Sequence, residues 1–281
     1  MTTSPQDIWH PHFLQFSPAF DPLATVCFGA WRTNQDWPEL ADYNRLLVAL
    51  NKEIFTCSGK PICFTAVEKN PEEFSHQYEP HIYLQGEIQT RERNWHDFFN
   101  MLTWLTFPKT KAALNARHYV AMKKRWPQQK RRTPMENALT HFDESGVIIA
   151  SADMQLDQAI IDFQWKKLFC DMRDRVKSQM AFFIFGHALY EKMFQPFVGL
   201  TGKAVVVHVE QAFFSWPLKQ QLEIVDAMVS DHFSDSRYIT APTQLAPLPI
   251  LGVPGWWAAN EKLSFYDNTD YFRPGRSCQN M

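Results

Sequence analysis

Three apolar segments of this 281-residue chain carry polar residues at the spacing of one helix face. They are His96 and Asn100 in the first segment, Lys111, Asn115 and His118 in the second, and His187 and Glu191 in the third. Residues three or four apart lie on the same side of a helix. Buried polar groups cost free energy unless they are paired. The spacing therefore predicts a fold in which the three stripes meet in a common polar pocket.

The composition is that of a globular protein, with 45% hydrophobic and 21% charged residues. Aromatic residues make up 15% of the chain and include 23 Phe and 10 Trp, which predicts a core packed with rings. The formal net charge of -2 gives no overall field that would attract nucleic acid or an anionic membrane. Any such affinity must come from a local patch.

The sequence predicts a soluble, cytoplasmic protein with no membrane partner. Residues 1–12 contain no basic start followed by an apolar stretch, and no run of about 18 uncharged apolar residues occurs. The five cysteines are irregularly spaced and form no C-x-x-C pair, which argues against a disulfide framework or a zinc ribbon. Such cysteines are typical of reduced thiols in a cytosol.

The first half of the chain is predicted to be mainly helical. A helix over 38–55 opens at a proline, which suits a first helical turn. Strands are predicted over 62–67 and 81–85. A helix over 94–106 is capped by an Asn and stops before a proline, and a second helix over 108–126 follows. Because the link is short, the two helices are expected to form a hairpin.

The second half is predicted to alternate between strands and helices. A β-hairpin is predicted over 138–151, with Gly146 as its left-handed turn residue. The other predicted elements are a helix over 155–175, a strand over 179–185, a helix from His187, a strand over 203–209 and a helix over 217–233. From Thr240 onwards the chain is rich in proline and aromatic residues, and it is expected to be ordered because so many rings would not be left in water.

These elements predict one α+β domain with a modest, mostly antiparallel sheet. We place the domain at residues 38–276. An N-terminal arm over 1–37 precedes it and a short tail over 277–281 follows it. Several prolines break the arm, and its aromatic side chains indicate that it packs on the body of the protein.

The first two stripes hold the residue types of a catalytic cleft. The imidazoles of His96 and His118 can carry protons near neutral pH. The amides of Asn100 and Asn115 can hold a substrate carbonyl or hydroxyl group, and Lys111 can hold an anion. The alternative is a helix hairpin whose polar face lies in water.

The third stripe follows a predicted strand and Gly186. The first turn of a helix presents free N–H groups, which makes a strand-to-helix turn a common place for chemistry. His187 and Glu191 are therefore candidates to ligate a divalent metal or to form a proton-relay pair. A hydrogen bond between the two within the helix is the alternative.

Two further charged segments have simpler interpretations. Asp143 and Glu144 fall where the predicted hairpin needs polar turn residues, and this interpretation is preferred to a catalytic carboxylate pair. The basic segment 123–132 could bind phosphates, with Trp126 stacking on a base. The alternative is a solvated helix end, where cations also favour the helix dipole.

Longer motifs carry a family resemblance. A central motif covers 94–100 and 107–118, and shorter motifs cover 139–144, 186–192, 248–256 and 266–274. These motifs resemble a bacterial family labelled domain of unknown function 3025, over about Tyr43 to Arg276. The resemblance implies a bacterial source and one recurring unit that includes the polar stripes. The family label implies no activity, cofactor or catalytic residue.

The sequence thus predicts a hydrolase-like enzyme that acts on a small-molecule or anionic substrate by acid–base or metal-assisted chemistry. His96, Asn100, Lys111, Asn115 and His118 are expected on one wall of its cleft, His187 and Glu191 on the other, and Arg91 and Arg273 as anion holders. The alternative is a non-catalytic module that binds RNA or an acidic protein through the basic segment. No nucleophile elbow, P-loop or dinucleotide-binding motif is found.

Overall fold

The fold is organised around a four-stranded sheet. The computed structural model describes residues 8–27, 31, 35–51, 53–67, 73–128 and 131–275. Its strands are β1 (Cys63–Thr65), β2 (Glu87–Gln89), β3 (Gly146–Ser151), β4 (Met180–Ile184), β5 (Thr201–His208) and β6 (Ala246–Pro249). The sheet has the order β4-β3-β5-β6, with antiparallel, parallel and antiparallel pairings in turn. Strands β1 and β2 form a separate parallel pair.

Helices cover both faces of this sheet. They are α1 (Asp21–Cys27), α2 (Leu40–Ala49), α3 (Tyr78–Gln85), α4 (Trp95–Thr106), α5 (Pro108–Arg125), α6 (Pro134–Ser145), α7 (Met154–Ile161), α8 (Arg173–Gln179), α9 (His187–Lys192) and α10 (Leu218–Ser234). Strand β3 is buried throughout, and its alternate residues enter two different cores. Val147 and Ile149 belong to the core that includes α4 and α9, and Ile148 and Ala150 belong to the core that includes α5, α6 and α10. The predicted single α+β domain is confirmed.

The predicted helix hairpin is α4 followed directly by α5. Pro108 occupies the first turn of α5, where its missing N–H is not needed. The buried carboxylate of Asp226 on α10 accepts hydrogen bonds from the backbone N–H groups of Lys109 and Thr110, at 3.0 and 2.8 Å. These bonds satisfy free donors at the start of α5 and tie it to α10.

The pairing of β3 with β4 determines where the ends of two helices lie. Val147, near the start of β3, pairs with Ile184 at the end of β4. Helix α6 leads directly into β3, and β4 leads through Phe185 and Gly186 into α9. The backbone N–H of Gly186 donates to the carbonyl of Gly146 at 2.9 Å. The last turn of α6 and the first turn of α9 therefore meet at one end of the sheet.

Two predicted β elements are wrong. The segment 81–85 is the end of helix α3, and a short apolar run of this kind does not distinguish a strand from a buried helix. The segment 138–145 is helix α6, which Thr133 and Glu136 cap reciprocally. Gly146 has φ of -66° and is not a left-handed turn residue. Asp143 and Glu144 consequently lie on the last helical turn instead of in a hairpin loop.

The other predicted elements agree with the structure in type and differ in length. The helix predicted over 155–175 is divided into α7, a π-helix over Lys167–Asp171 and the start of α8. Phe163, between α7 and the π-helix, has φ of 56°, which a continuous helix does not allow. The helix predicted over 38–55 is shorter, because α2 covers Leu40–Ala49.

Both ends of the described chain pack on the body. In the arm, the Trp9 ring stacks on Trp95 of α4 with centroids 5.0 Å apart. In the C-terminal segment, the hydroxyl of Tyr271 donates to the carbonyl of Leu200 at 2.7 Å, and Asn260 donates to two backbone carbonyls. Residues 1–7 and the predicted tail over 277–281 lie outside the described residues. No helix among the described residues is both long and apolar enough to cross a membrane.

Glu136 links the start of α6 to the end of α5, and we predict that this link is pH-dependent. Burial alone would raise the pKa of Glu136, but hydrogen bonds from Thr133 and Arg125 outweigh it and lower the pKa below the ordinary value. A lowered folded pKa stabilises the protein above the unfolded pKa, about 4.3, and the effect disappears as pH falls through the folded value. Glu136→Gln should therefore lower the unfolding free energy by about 1–3 kcal/mol at pH 7.

Urea unfolding of both proteins between pH 3 and 8 measures this effect. The difference between them should be constant above about pH 5 and shrink below about pH 4. Glu210→Gln, at an exposed position, is the control and should match the parent protein throughout. A Glu136→Gln difference that stays the same at pH 3 would contradict this account.

Candidate functional site

A polar cleft of about 490 Å³ lies between α3, α4, α5, α6 and α9. Five residues predicted from the sequence line it: Arg91, His96, Asn100, His118 and His187. They come from three separate parts of the chain, so tertiary packing brings the predicted stripes together at one cleft. Its walls also carry Tyr78, Glu79, Asp143 and Glu144.

Two imidazole rings touch at one end of the cleft. The Nε2 atoms of His96 and His187 lie 3.0 Å apart. Desolvation by burial lowers the pKa of His187 to about 3, although the charge of Asp143 acts in the opposite direction. A hydrogen bond to Glu191 raises the pKa of His96 against the effect of its own partial burial. The two Nε2 atoms are within hydrogen-bond distance of each other, and the ring tautomers decide which of them donates.

Glu144 brings a carboxylate to the same point. Its Oε2 atom is 3.8 Å from Nε2 of His187. Desolvation raises the pKa of Glu144, with the charge of His96 opposing it. His96, His187 and Glu144 each offer one ligand atom, and these atoms all lie within 4.8 Å of one another. Two nitrogen donors and one oxygen donor are the ligand types of many catalytic metal sites.

Each imidazole of the pair has a second carboxylate behind it. Oδ2 of Asp143 is 3.8 Å from Nδ1 of His187, and that buried Nδ1 atom has no hydrogen-bond partner among the described residues. Oε2 of Glu191 is 3.4 Å from Nδ1 of His96. A carboxylate that accepts a hydrogen bond from Nδ1 fixes the orientation and tautomer of an imidazole that binds through Nε2. Glu191 therefore lies behind His96 and is not a third donor beside His187.

Lys111 lies beneath the cleft instead of on its surface. Only 5% of its side chain is exposed, and its Nζ atom donates to Oδ1 of Asp143 at 2.6 Å and to Oδ1 of Asn100 at 2.8 Å. Burial would raise the pKa of Asp143, but the charge of Lys111 and its hydrogen bond outweigh this and lower the pKa. Lys111 therefore keeps Asp143 ionised, and it is not placed to hold a substrate anion.

The remaining predicted site residues have other partners. Asn115 donates to the backbone oxygen and the carboxylate of Glu79, at 2.9 and 2.8 Å, and so joins α5 to α3. Arg91 makes two side-chain hydrogen bonds to Asp97, at 2.9 and 2.8 Å, on the cleft wall. The structure does not bring Arg273 to the cleft, because the C-terminal segment packs elsewhere, with the backbone oxygen of Arg273 on the Trp165 indole.

Sequence reasoning assigned Asp143 and Glu144 to a turn in preference to a catalytic pair, and it missed Tyr78. For the two carboxylates a signal existed, because Thr133, Pro134 and Glu136 form the start signature of a helix. Recognising that helix would have placed both carboxylates on its last turn. No pattern pointed to Tyr78, whose hydroxyl reaches the cleft only because α3 packs on α5.

The basic segment 123–132 is partly neutralised within the chain. Arg125 donates to Glu136 at 2.9 Å, Arg132 donates to Thr140 at 3.2 Å, and Nζ of Lys123 lies 5.6 Å from the centre of the Tyr119 ring. Residues 129–130 lie outside the described residues. Binding of RNA or an acidic protein by this segment stays a prediction.

The fold and the site define an α+β protein with a histidine- and carboxylate-lined cleft. The chain belongs to the family described as Protein of unknown function (DUF3025), whose family model matches residues 62–276. This match confirms the family resemblance seen in the motifs, although it begins at residue 62 instead of near Tyr43. No curated protein and no solved structure matches the chain.

Gly186 is needed for the approach of His187 to Glu144, and its replacement should disturb the site. A Cβ atom at Gly186 would lie 2.4 Å from the backbone N of Gly146 and 2.5 Å from the backbone O of Glu144. Gly186→Ala should lower the unfolding free energy by about 1–3 kcal/mol. It should also change the imidazole signals of His96 and His187 in ¹H–¹⁵N NMR spectra.

The matched control is Gly255→Ala. Gly255 has φ of 82°, so alanine there is strained by about 1–2 kcal/mol, but its Cβ meets nothing within 4 Å. This variant should lose stability and leave both imidazole signals unchanged. Unchanged imidazole signals in Gly186→Ala would show that the close backbone contact does not position the pair.

Proposed function

We propose that this protein is a hydrolase in which His96, His187 and Glu144 hold a divalent metal ion. One observation carries the proposal: two imidazole Nε2 atoms lie 3.0 Å apart beside a carboxylate, and each ring has another carboxylate on its far side. These groups come from helices α4, α6 and α9, and α6 and α9 directly adjoin strands β3 and β4 of the sheet. Such a constellation on rigid elements is the usual support of a catalytic centre.

The distances suit a transition-metal ion. The two Nε2 atoms lie 3.0 Å apart, so one ion with metal–nitrogen bonds of about 2.0–2.1 Å could bind both. Imidazole donors favour zinc, iron or nickel over magnesium or calcium. Three protein ligands also leave a position open for water or substrate. When bound, a divalent ion supplies Lewis acidity and makes water a better nucleophile near neutral pH.

The two outer carboxylates favour binding through Nε2. Asp143 stays ionised because of Lys111, so it can hold a proton on Nδ1 of His187 and leave the Nε2 lone pair available. Glu191 can do the same for His96. Burial keeps His187 neutral, which metal binding also requires.

Hydrolysis is the reaction that best suits the cleft. Its walls are polar and include charged side chains, so water and a polar substrate can enter together. His118 lines the cleft outside the proposed metal-binding group and supplies a proton carrier. We assign it the transfer of a proton from the attacking water to the leaving group. Water oxygen then bonds to the carbonyl carbon or phosphorus, the bond to the leaving group breaks, and the net change is the addition of one water.

Metal binding is expected to depend on the three proposed ligands. His96→Ala, His187→Ala and Glu144→Ala should each weaken Zn²⁺ or Co²⁺ binding by about 100-fold or more. Asp143→Asn and Glu191→Gln should weaken it by about 10–100-fold, because outer carboxylates act through the ligands. Calorimetry and Co²⁺ absorption spectra measure the affinity. Iron(II) should be tested beside Zn²⁺ and Co²⁺, because non-haem iron sites use the same donor set.

The control for these variants is His141→Ala, an exposed histidine on α6. It should bind metal like the parent protein. Hydrolysis is assayed on p-nitrophenyl acetate, p-nitrophenyl phosphate and bis(p-nitrophenyl) phosphate, with and without added metal. Metal affinity that is the same in His96→Ala, His187→Ala and the parent would exclude the metal site, and no metal-dependent turnover of any ester would exclude the hydrolase.

His118→Gln separates proton transfer from metal binding. We expect kcat to fall by about 10²–10⁴-fold, the usual contribution of a positioned acid or base. Zn²⁺ affinity should stay the same, because His118 lies outside the metal-binding group. A variant with normal kcat would remove His118 from the mechanism.

A further inference from the structure

The hydrogen bonds beneath the cleft fix the orientation of one amide. The Lys111 ammonium can only donate hydrogen bonds, so the atom of Asn100 that faces it at 2.8 Å must be the oxygen Oδ1. Asn100 cannot turn its amide over without placing an NH₂ group against the buried ammonium. Its Nδ2 atom is therefore held towards Tyr78.

This orientation determines which way the Tyr78 hydroxyl points. Nδ2 of Asn100 donates to the phenolic oxygen of Tyr78 at 2.8 Å, so that oxygen is an acceptor in this bond. The phenolic proton must point elsewhere. No acceptor for it is found in the part of the chain that the structure describes, and Tyr78 lines the cleft. The chain thus holds a hydrogen-bond donor towards whatever occupies the cleft.

We propose that Tyr78 is a catalytic residue that donates its phenolic proton as a hydrogen bond to a substrate oxygen carrying or developing negative charge. This inference rests on the proposed hydrolase. It names the substrate class as an ester whose carbonyl or phosphoryl oxygen becomes an oxyanion when water adds. The hydrogen bond is not a proton transfer, so the Tyr78 hydroxyl stays intact through the reaction.

The distance along α4 supports this assignment. His96 and Asn100 are four residues apart on one helix face, which is about 6 Å along the axis. The Tyr78 hydroxyl is bonded to Asn100 and therefore lies beside a point about one helical turn along α4 from His96. An ester centred between Tyr78 and the metal-binding group can present one oxygen to each.

The same bonds give Lys111 and Asn100 a new role. The sequence assigned both to direct contact with substrate, but the structure directs Lys111 to Asn100, and Asn100 to Tyr78. They are positioning residues that act through the phenol. The fixed donor needs no reorientation when charge develops, and this is the condition under which a single oxyanion donor contributes about 10²–10³-fold to kcat.

The first test is Tyr78→Phe, with Tyr83→Phe as the matched control. Tyr83 lies on the same helix, and its ring stacks on Tyr119 instead of lining the cleft. Tyr78→Phe should lower kcat for the turned-over p-nitrophenyl ester by about 10²–10³-fold. KM should change little and Zn²⁺ affinity should not change. Equal kcat values in Tyr78→Phe and Tyr83→Phe would overturn the proposal.

The second test keeps the tyrosine and reverses its hydrogen bond. In Asn100→Asp the new carboxylate can only accept, so it should draw the Tyr78 proton away from the cleft while Lys111 still has a partner. The loss of kcat should approach that of Tyr78→Phe, and the double variant should be no worse than either. Wild-type kcat in Asn100→Asp would show that the amide does not control the phenol.

A binding measurement separates this inference from the proposed function. Inorganic phosphate, titrated calorimetrically into the Zn²⁺-loaded protein, should bind at least about tenfold more weakly to Tyr78→Phe than to the parent or to Tyr83→Phe. Equal binding, or no binding by the parent, would overturn the inference. Weaker binding by Tyr78→Phe without hydrolysis of any ester would support the Tyr78 donor and reject the hydrolase.

Discussion

The buried ion pair between Lys111 and Asp143 is the interaction on which the site depends. It joins α5 to the last turn of α6, where the Lys111 side chain is 5% exposed and the Asp143 side chain is 18% exposed. Removing one partner of such a pair leaves an uncompensated buried charge and typically costs about 3–5 kcal/mol. Lys111 also bonds to Asn100 on α4. One ammonium group therefore sets the relative positions of three helices that line the cleft.

This pair affects the polar groups at both ends of the cleft. Towards the sheet, Asp143 stays ionised and faces the free Nδ1 atom of His187. Towards α3, Asn100 is held in one orientation and bonds to Tyr78. A cation in a polar pocket often binds an anion, but the Lys111 ammonium already donates to Asp143 and Asn100. Its role is to orient the groups that face the cleft.

Elements with a strong local signal were predictable. The hairpin of α4 and α5 follows from Asn94, Pro108 and a long helical period, and α10 follows from its regular apolar face. Helix α6 was missed because its apolar residues are few and its end continues into β3 without a loop, so the chain resembled a hairpin. That error removed Asp143 and Glu144 from the predicted site, although both lie beside His187.

The sequence by itself determined the residue types of the site and the helix faces that carry them, because a spacing of three or four residues needs only local geometry. The tertiary structure decided which groups are partners. His96 and His187 are 91 residues apart and touch only because α4 packs on α9, next to the point where β3 pairs with β4. Burial then decided the roles: it placed Lys111 beneath the cleft and kept His187 neutral, and no local pattern encodes the depth at which a side chain will lie.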